Sequence, residues 1–390
     1  MNNFQNIDKK IIYFDNAATS FYKPNSVKLA VLDAMANYTA NPGRSGHILS
    51  QKVAEKIYET RENLKDFFHA KNFDLIFTKN CTEALNTVIF GMLKKGDNVI
   101  TTCYEHNSVL RPLEMLKKQG VDVTILDCEL ENIHKEIGAK INTNTKMIIS
   151  TFVSNVTGAV CDVKSVSEIC KKHNIKYLID GAQACGHLEI NLDDIDCDFF
   201  AFAGHKGLLS LTGVGGIFVK NINEIKPLIY GGTGTDSKNL VQPTDTIEGF
   251  EAGTIPSVSI ISLNAGVKFL KRNFSKILEK EQKLTEYLYR NLKNLNFLTI
   301  YSKNSCNNVV SFNFLNIDSG SVANELNEKF NICVRSGLHC SPLIHKKIKT
   351  DELGAVRISV DFNNTFDEID VLVSALKKIF NDSKMAEFCR

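Results

Sequence analysis

The chain has 390 residues, of which 43% are hydrophobic and 23% are charged. This length exceeds that of one small domain, so one large and one smaller domain are expected. The net charge of +2, from 46 basic and 44 acidic residues, argues against a nucleic-acid-binding or membrane-surface protein. The N-terminus lacks the apolar core of a signal peptide, and no apolar run approaches the roughly 18 residues of a membrane helix. A cytoplasmic location is therefore expected.

The eleven cysteines include no C-x-x-C pair. Neither a zinc cluster nor a disulfide framework fits this pattern, so no metal site is expected. Several cysteines lie in apolar segments, which is typical of small buried hydrophobic residues: Cys161, Cys170, Cys197 and Cys333.

Strands and helices alternate through the first two thirds of the chain. Residues 73–78 predict a strand, and residues 80–93 carry apolar side chains at helical spacing. Further strands are predicted at 97–102, 121–126, 145–154, 175–180 and 197–204, and further helices at 108–120 and 165–174. Ser165 is the candidate cap of the last helix. This repetition indicates an α/β fold with an open, mostly parallel sheet covered by helices on both sides.

The pattern changes after about residue 260. A long helical stretch at 262–295 precedes short predicted strands at 308–315, 331–336 and 355–360. We therefore predict a large domain over 23–260 and a smaller α+β C-terminal domain over 261–390. Residues 1–22 are expected to pack with the smaller domain.

Four polar clusters follow predicted strands, where ligands of open α/β sheets collect. Asn80–Thr82 precedes a helix whose N–H groups can bind an anion, although a plain helix cap is the alternative. Asp180 ends an apolar strand and needs a cation or several donors, unless it caps the next segment. Lys206 follows an aromatic strand that would favour its neutral, nucleophilic form, although most lysines are solvated. His106 follows the strand at 97–102 and, taken alone, is more often structural.

Together these clusters supply an anion site, a buried acid, an amine and an imidazole. That combination suits a cofactor with a phosphate, a protonatable ring nitrogen and an aldehyde, which is a description of pyridoxal phosphate. The sequence also resembles the class V aminotransferase superfamily, in its cysteine desulfurase and selenocysteine lyase branch. The motifs run in order: FDNAATS (14–20), NPGRSGHILS (41–50), TKNCTEALN, EHNSV, SNVTGA, DGAQ, GHKG, FEAGT (250–254), VRSGLHC and VRISV. The resemblance implies a pyridoxal-phosphate-dependent transferase of fold type I.

Carried over by position, the resemblance makes Lys206 the Schiff-base lysine and pairs Asp180 with the ring nitrogen. His106 would stack on the ring, and Gln183 would hydrogen-bond the phenolic oxygen.

The resemblance also implies a phosphate site. Thr82 and His205 would bind the phosphate, with Cys81 beside them, and Thr254 would reach the phosphate of the partner subunit in a homodimer.

Substrate groups follow in the same way. Asn155, which also borders the cofactor, and Arg357 would hold the substrate carboxylate, because an arginine fork meets a carboxylate bidentately. Arg335 and His47 complete the implied substrate site.

Cys340 occupies the position of the family's loop cysteine, whose thiolate takes the substrate sulfur as a persulfide. Arg335 or His339 beside it would lower the pKa of the thiol if positively charged. The implied function is conversion of L-cysteine to L-alanine, with sulfur passed to an acceptor protein. A selenocysteine lyase, another class V aminotransferase or β-lyase, and a non-enzymatic sulfur-trafficking scaffold are the alternatives.

Overall fold

A computed structural model describes residues 11–42, 46–235, 237–303, 307–314 and 317–388. Residues 1–10 of the predicted N-terminal segment and residues 43–45 of the motif at 41–50 lie outside these described residues.

The secondary structure comprises these elements. The strands are β1 (Ile12–Tyr13), β2 (Asp74–Thr78), β3 (Asn98–Thr102), β4 (Asp122–Leu126), β5 (Thr145–Thr151), β6 (Lys176–Asp180), β7 (Phe199–Ala203), β8 (Gly215–Val219), β9 (Leu298–Ile300), β10 (Val309–Phe314), β11 (Ile332–Cys333) and β12 (Val356–Ser359). The helices are α1 (Asn25–Asn37), α2 (Ile48–Phe67), α3 (Cys81–Met92), α4 (Asn107–Lys118), α5 (Ile133–Ile137), α6 (Val163–His173), α7 (Leu192–Ile195), α8 (Ser257–Lys293), α9 (Ser319–Phe330), α10 (Pro342–Lys347) and α11 (Phe366–Phe388). Within the described residues, no helix combines the length and the apolar character needed to cross a bilayer.

The larger unit, residues 22–153 and 161–274, is built on one seven-stranded sheet. The strand order is β2-β8-β7-β6-β5-β3-β4. All neighbouring pairs are parallel except those of β8, which runs antiparallel to both β2 and β7. Every residue of β7 is buried, as expected for a strand covered on both faces. The parallel strands therefore end at one common edge.

Helix starts in this unit follow local capping chemistry. The Asn80 side chain caps α3 by accepting a hydrogen bond from the backbone N–H of Glu83 at 2.9 Å. Helix α6 begins one turn earlier than the sequence pattern predicted. Its cap is Asp162, whose carboxylate accepts from the N–H of Ser165, so Ser165 lies in the first turn and is not the cap.

The smaller unit contains residues 11–21, residues 154–160 and the described residues from 275 onward. Its antiparallel sheet has the order β12-β10-β9, and β1 pairs in parallel with β11. One apolar core joins strand and helix side chains, among them Phe312, Ile358 and Leu372. The pairing of β1 with β11 ties the N-terminal segment into this unit.

The division of the chain differs in two places from the predicted domain boundaries. The boundary lies inside α8 at 274/275 and not at 260/261, because the helix continues without a break through that region. Residues 154–160 belong to the smaller unit, where the Ser311 hydroxyl donates to the carbonyl of Val156 at 2.5 Å.

Candidate active site

Four of the predicted polar clusters meet at the carboxyl edge of the large sheet. Asp180 is the last residue of β6, and Lys206 follows β7 by three residues. His106 caps α4 after β3, and residues 80–82 form the start of α3 after β2. Because these four strands are mutually parallel, the sheet topology brings the clusters to one side.

Asp180 is buried and accepts two hydrogen bonds. Its Oδ1 atom accepts from the N–H of Ala182 at 3.0 Å and from the thiol of Cys81 at 3.5 Å. Burial, reinforced by the negative charge of Asp180, raises the pKa of the Cys81 thiol well above its usual range. Cys81 therefore stays protonated and acts as a donor that links the start of α3 to the end of β6.

A hydroxyl chain joins the starts of α3 and α4. The Thr82 and Ser108 hydroxyls lie 2.7 Å apart, and the Ser108 hydroxyl lies 2.8 Å from Nδ1 of His106. The same Nδ1 atom accepts from the N–H of Ser108 at 3.1 Å, so it carries no proton in this geometry. This chain holds the His106 ring in one orientation above the sheet edge.

Lys206 lies on a loop that packs against the segment after Asp180. A Cβ atom on Gly207 would lie 2.8 Å from Nε2 of His187 and would overlap the Cys185 carbonyl oxygen. Gly186, with φ of +86°, makes the reciprocal approach to the backbone of Gly207. The positive charge of Lys206 opposes the rise in the pKa of both the Cys81 and Cys185 thiols, which places it near Asp180.

Two further predicted residues line this edge. Gln183 is buried three residues after Asp180. Burial, assisted by the charge of Lys206, lowers the pKa of His205 to about 4, so its imidazole is neutral at physiological pH. The Lys23 ammonium donates to the carbonyl of His205 at 3.3 Å and adds positive charge.

This donor set fits pyridoxal phosphate. Lys206 could supply the amine for the aldehyde, and the buried Asp180 carboxylate suits a protonated ring nitrogen. The N-terminus of α3 with the Thr82 hydroxyl suits a phosphate, while His106 offers a ring face.

Sequence reasoning missed Glu105, which is fully buried beside this site. Its Oε1 atom accepts from the Thr102 hydroxyl at 2.6 Å and from the N–H of Thr151 at 3.0 Å. Its Oε2 atom is buried and has no hydrogen-bond partner among the described residues. Burial, opposed in part by these donors and reinforced by Asp180, raises the pKa of Glu105 to about 8. The signal available in the sequence was an acidic residue directly after a buried strand.

The smaller unit contains three of the four predicted substrate residues. Arg357 is buried, and its Nη1 atom donates to the carbonyl of Asn155 at 3.0 Å. Its Nη2 atom donates to the carboxylate of Asp15 at 2.8 Å, and its Nε atom is buried without a partner among the described residues. Asp15, within the motif at 14–20, is a second residue of this cluster that sequence reasoning did not single out. Arg335 lies 4.0 Å from the same carboxylate.

Asn155 forms hydrogen bonds with the residues on both sides of Cys340. Its Nδ2 atom donates to the carbonyl of His339 at 2.8 Å, and its Oδ1 atom accepts from the Ser341 hydroxyl at 2.8 Å. Arg357 binds the backbone carbonyl of the same Asn155. The nucleophile candidate and the carboxylate-binding candidate are therefore tied through one residue.

Cys340 is the exposed cysteine among those that the structure describes. Burial raises the pKa of other thiols, as at Cys161, where the pKa reaches about 12. The predicted help from His339 is wrong, because burial and the nearby Arg357 charge hold the pKa of His339 well below its usual range. His339 is therefore neutral, and Arg335 is the candidate cation near this loop.

Two further predicted residues belong to other segments of the larger unit. His47 caps α2, and its Nδ1 atom accepts from the N–H of Ser50 at 3.2 Å. Thr254 is exposed on a segment anchored by Glu251, whose buried carboxylate pairs with Arg61 at 3.1 Å. Their predicted roles at the substrate and at the partner subunit's phosphate stay predictions.

Known proteins resemble this chain over nearly its whole length. Residues 12–372 match the family model of aminotransferase class-V. A probable cysteine desulfurase of Methanothermobacter thermautotrophicus is 33% identical and is covered over 94% of both chains. A cysteine desulfurase of Haloferax volcanii is 31% identical, with 94% of this chain and 88% of the relative covered.

The structural comparison agrees with these matches. The apo structure of a cysteine desulfurase from Thermococcus onnurineus NA1 superposes with a TM-score of 0.87 at 32% identity, over 95% of this chain and 94% of that chain. This likeness confirms the predicted fold type. The chain belongs to the cysteine desulfurase family of the pyridoxal-phosphate-dependent class V aminotransferases.

Proposed function

We propose that the protein is a cysteine desulfurase that converts L-cysteine to L-alanine and carries the sulfur as a persulfide on Cys340. The observation that carries this proposal is the exposed Cys340 thiol on a loop tied through Asn155 to the buried Arg357. Relatives that bear the name cysteine desulfurase at 31–33% identity support it.

The residues at the sheet edge serve the cofactor and the substrate Cα. Pyridoxal phosphate, when bound, withdraws electron density from the Cα of an amino acid. Asp180 would stabilise the positive ring nitrogen, and His106 would contact the ring. The Nζ atom of Lys206 moves a proton to and from Cα as base and acid. Arg357 orients the substrate through its carboxylate.

Cys340 performs the sulfur transfer. Its thiolate attacks the substrate sulfur, so an S–S bond forms and the Cβ–S bond breaks. The electron pair of the broken bond stays on Cβ, which takes up the proton released by the Cys340 thiol. One L-cysteine and one thiol thus become one L-alanine and one persulfide, and no outside oxidant or reductant is required.

A homodimer is part of the proposal. Helix α1 exposes Leu29, Leu32 and Met35 at a spacing of three residues, so these side chains share one helix face. Exposed apolar patches of this kind mark interaction surfaces. We propose that a second copy of the chain covers this face and receives Thr254 at its phosphate site. A sulfur-acceptor protein would then accept the persulfide sulfur.

The test supplies L-cysteine and a reductant, and measures sulfide and alanine together. Equal amounts of both products are expected, whereas a transaminase would yield a keto acid. Cys340→Ala should retain the cofactor but lose cysteine turnover. Cys333→Ala, which alters a half-buried thiol, is the matched control. After brief exposure of the wild type to cysteine without reductant, mass spectrometry should find one added sulfur on the Cys340 peptide.

Two results would redirect the proposal. Full desulfuration by Cys340→Ala would exclude the persulfide route and favour the aminotransferase or β-lyase alternative. Selenocysteine turnover that exceeds cysteine turnover in the wild type would favour the selenocysteine lyase.

A further inference from the structure

A buried polar chain leads away from the loop of Cys340. The rings of His339 and His345 stack with centroids 5.3 Å apart, and Nδ1 of His339 lies 3.2 Å from Nε2 of His345. On the far side, Nδ1 of His345 lies 2.7 Å from the Thr350 hydroxyl. All three residues are buried. The burial of two imidazole rings requires an explanation, because burying a polar group costs free energy unless the group is hydrogen-bonded.

Both rings are neutral, so each imidazole has one nitrogen that donates and one that accepts a hydrogen bond. Burial lowers the pKa of His345 to about 4 and holds that of His339 well below its usual range. The remaining nitrogen, Nε2 of His339, is buried and has no hydrogen-bond partner among the described residues.

The two contacts link the three side chains in one line. The Thr350 hydroxyl contacts Nδ1 of His345, and Nε2 of His345 contacts Nδ1 of His339. In each contact one atom donates and the other accepts, so both hydrogen bonds form with either pair of ring tautomers.

The backbone at the nucleophile requires such support. His339 and Cys340 have φ angles of +49° and +58°, in the left-handed region that residues other than glycine rarely adopt. Each such residue costs on the order of 1 kcal/mol or more and persists only where its surroundings hold it. Asn155 binds the backbone carbonyl of His339 on one side of Cys340 and the hydroxyl of Ser341 on the other. The histidine chain holds the ring of His339.

We propose that Thr350, His345 and His339 form a positioning chain that holds Cys340 at a fixed place relative to the carboxylate-binding Arg357. The chain contacts neither substrate nor cofactor, and it acts through the loop backbone. The proposal rests on the proposed function in that Cys340 is the sulfur acceptor. It adds that exposure of the Cys340 thiol is not sufficient for sulfur transfer, and that the loop must also hold this thiol in a fixed position.

The test uses two substitutions of one histidine in the holoenzyme. In His345→Gln the side-chain amide takes the place of Nε2 and keeps the hydrogen bond to His339. In His345→Asn the amide replaces Nδ1, so the contact with Thr350 is kept and the link to His339 is lost. Readouts are kcat and KM for L-cysteine, the single-turnover rate of persulfide formation on Cys340, and the rate at which iodoacetamide alkylates Cys340 in the resting enzyme.

For His345→Asn we expect kcat and the persulfide rate to fall roughly tenfold, the factor that corresponds to about 1.4 kcal/mol, near the net contribution of one hydrogen bond. KM and the cofactor absorbance should stay within about twofold of the wild type, because neither depends on the loop. The alkylation rate should change at least about threefold. His345→Gln should resemble the wild type in all four measurements.

Equal behaviour of the two variants, or an unchanged alkylation rate in His345→Asn, overturns the positioning chain. If either protein does not fold, Thr350→Val and Thr350→Ser replace the pair, since only valine removes the hydroxyl that His345 contacts. A wild type that forms no persulfide on Cys340 contradicts the proposed function instead. The alkylation rates then still decide whether the chain positions the loop.

Discussion

Glu105, near the sheet edge, lies in an environment that disfavours the charged form of its carboxyl group. Its carboxyl group is fully buried beside Asp180, and only one of its two oxygens is hydrogen-bonded among the described residues. With a pKa of about 8, it is mostly protonated at pH 7. A neutral Glu105 adds no negative charge beside Asp180, whose carboxylate the positive ring nitrogen of the cofactor could balance.

This raised pKa predicts a pH dependence of stability. The folded state binds the Glu105 proton more tightly than the unfolded state, whose pKa is 4.5. The contribution is therefore complete below about pH 4.5 and is lost as the pH rises to about 8, by about 1.4 kcal/mol per pH unit in between. Glu105→Gln mimics the neutral acid, so its thermal midpoint should fall less than that of the wild type between pH 5.5 and 8.5.

Glu279→Gln is the control for this comparison, because Glu279 lies on the exposed face of α8. It should follow the wild-type pH dependence. Parallel curves for Glu105→Gln and the wild type would contradict a neutral Glu105.

Lys206 carries a second prediction at the residue scale. Lys206→Ala should fold, since the side chain is not fully buried, but it should lose the near-visible absorbance of the covalently held cofactor. Turnover should fall by about 10³-fold or more, as when a covalent catalytic group is removed. Lys79→Ala, beside the same sheet edge and exposed, should retain both properties. If Lys206→Ala kept this absorbance, the lysine that holds the cofactor would be a different residue.

At the scale of elements, the site depends on two loops that touch through glycine. The loop after β6 and the loop after β7 approach each other at Gly186 and Gly207, where a Cβ atom would overlap backbone. This contact places Lys206 beside Asp180 without a strand or helix between them. Loops positioned by a rigid sheet in this way commonly carry catalytic groups.

Gly207→Ala should therefore separate these loops. Overpacking of this kind costs about 1 to 3 kcal/mol, and the displaced Lys206 should weaken cofactor binding. Thermal unfolding and titration with pyridoxal phosphate would measure the two effects. Gly138→Ala is the control, because a Cβ atom there meets nothing within 4 Å and its φ is not positive. Normal cofactor affinity in Gly207→Ala would show that the loop contact does not position Lys206.

At the scale of the whole molecule, the exposed apolar face of α1 predicts the oligomeric state. Light scattering should give twice the 43.5 kDa mass of one chain. Leu32→Lys places a charge in this face and should shift the mass toward the monomer at low micromolar concentration. It should also lower activity, because Thr254 is proposed to serve the partner's phosphate.

Leu353→Lys, at a partly exposed leucine of the smaller unit, is the matched control and should remain dimeric. A fully active monomer, or a Leu32→Lys variant that stays dimeric, would contradict this assignment of the interface.

Much of the molecule could be predicted from local patterns. Apolar strands such as β5 and β7 and periodic helices such as α3 and α4 are visible in the chain because burial dictates their composition. The order of polar residues after these strands predicted the sheet-edge cluster, since parallel strands end on one side. The motifs of the resemblance predicted the family, the fold type and the cofactor.

Other features depend on contacts between distant residues and have no local signal. Partners far along the chain set three of these features. They are the antiparallel direction of β8, the assignment of residues 154–160 to the smaller unit, and the pairing of β1 with β11. The neutral state of His339 was mispredicted for the same reason, because its pKa is set by burial and by Arg357. The sequence by itself determined which chemical groups the protein carries and at which strand ends they lie. Only the tertiary structure decided their protonation states and hydrogen-bond partners, because desolvation and partner geometry arise when distant segments pack together.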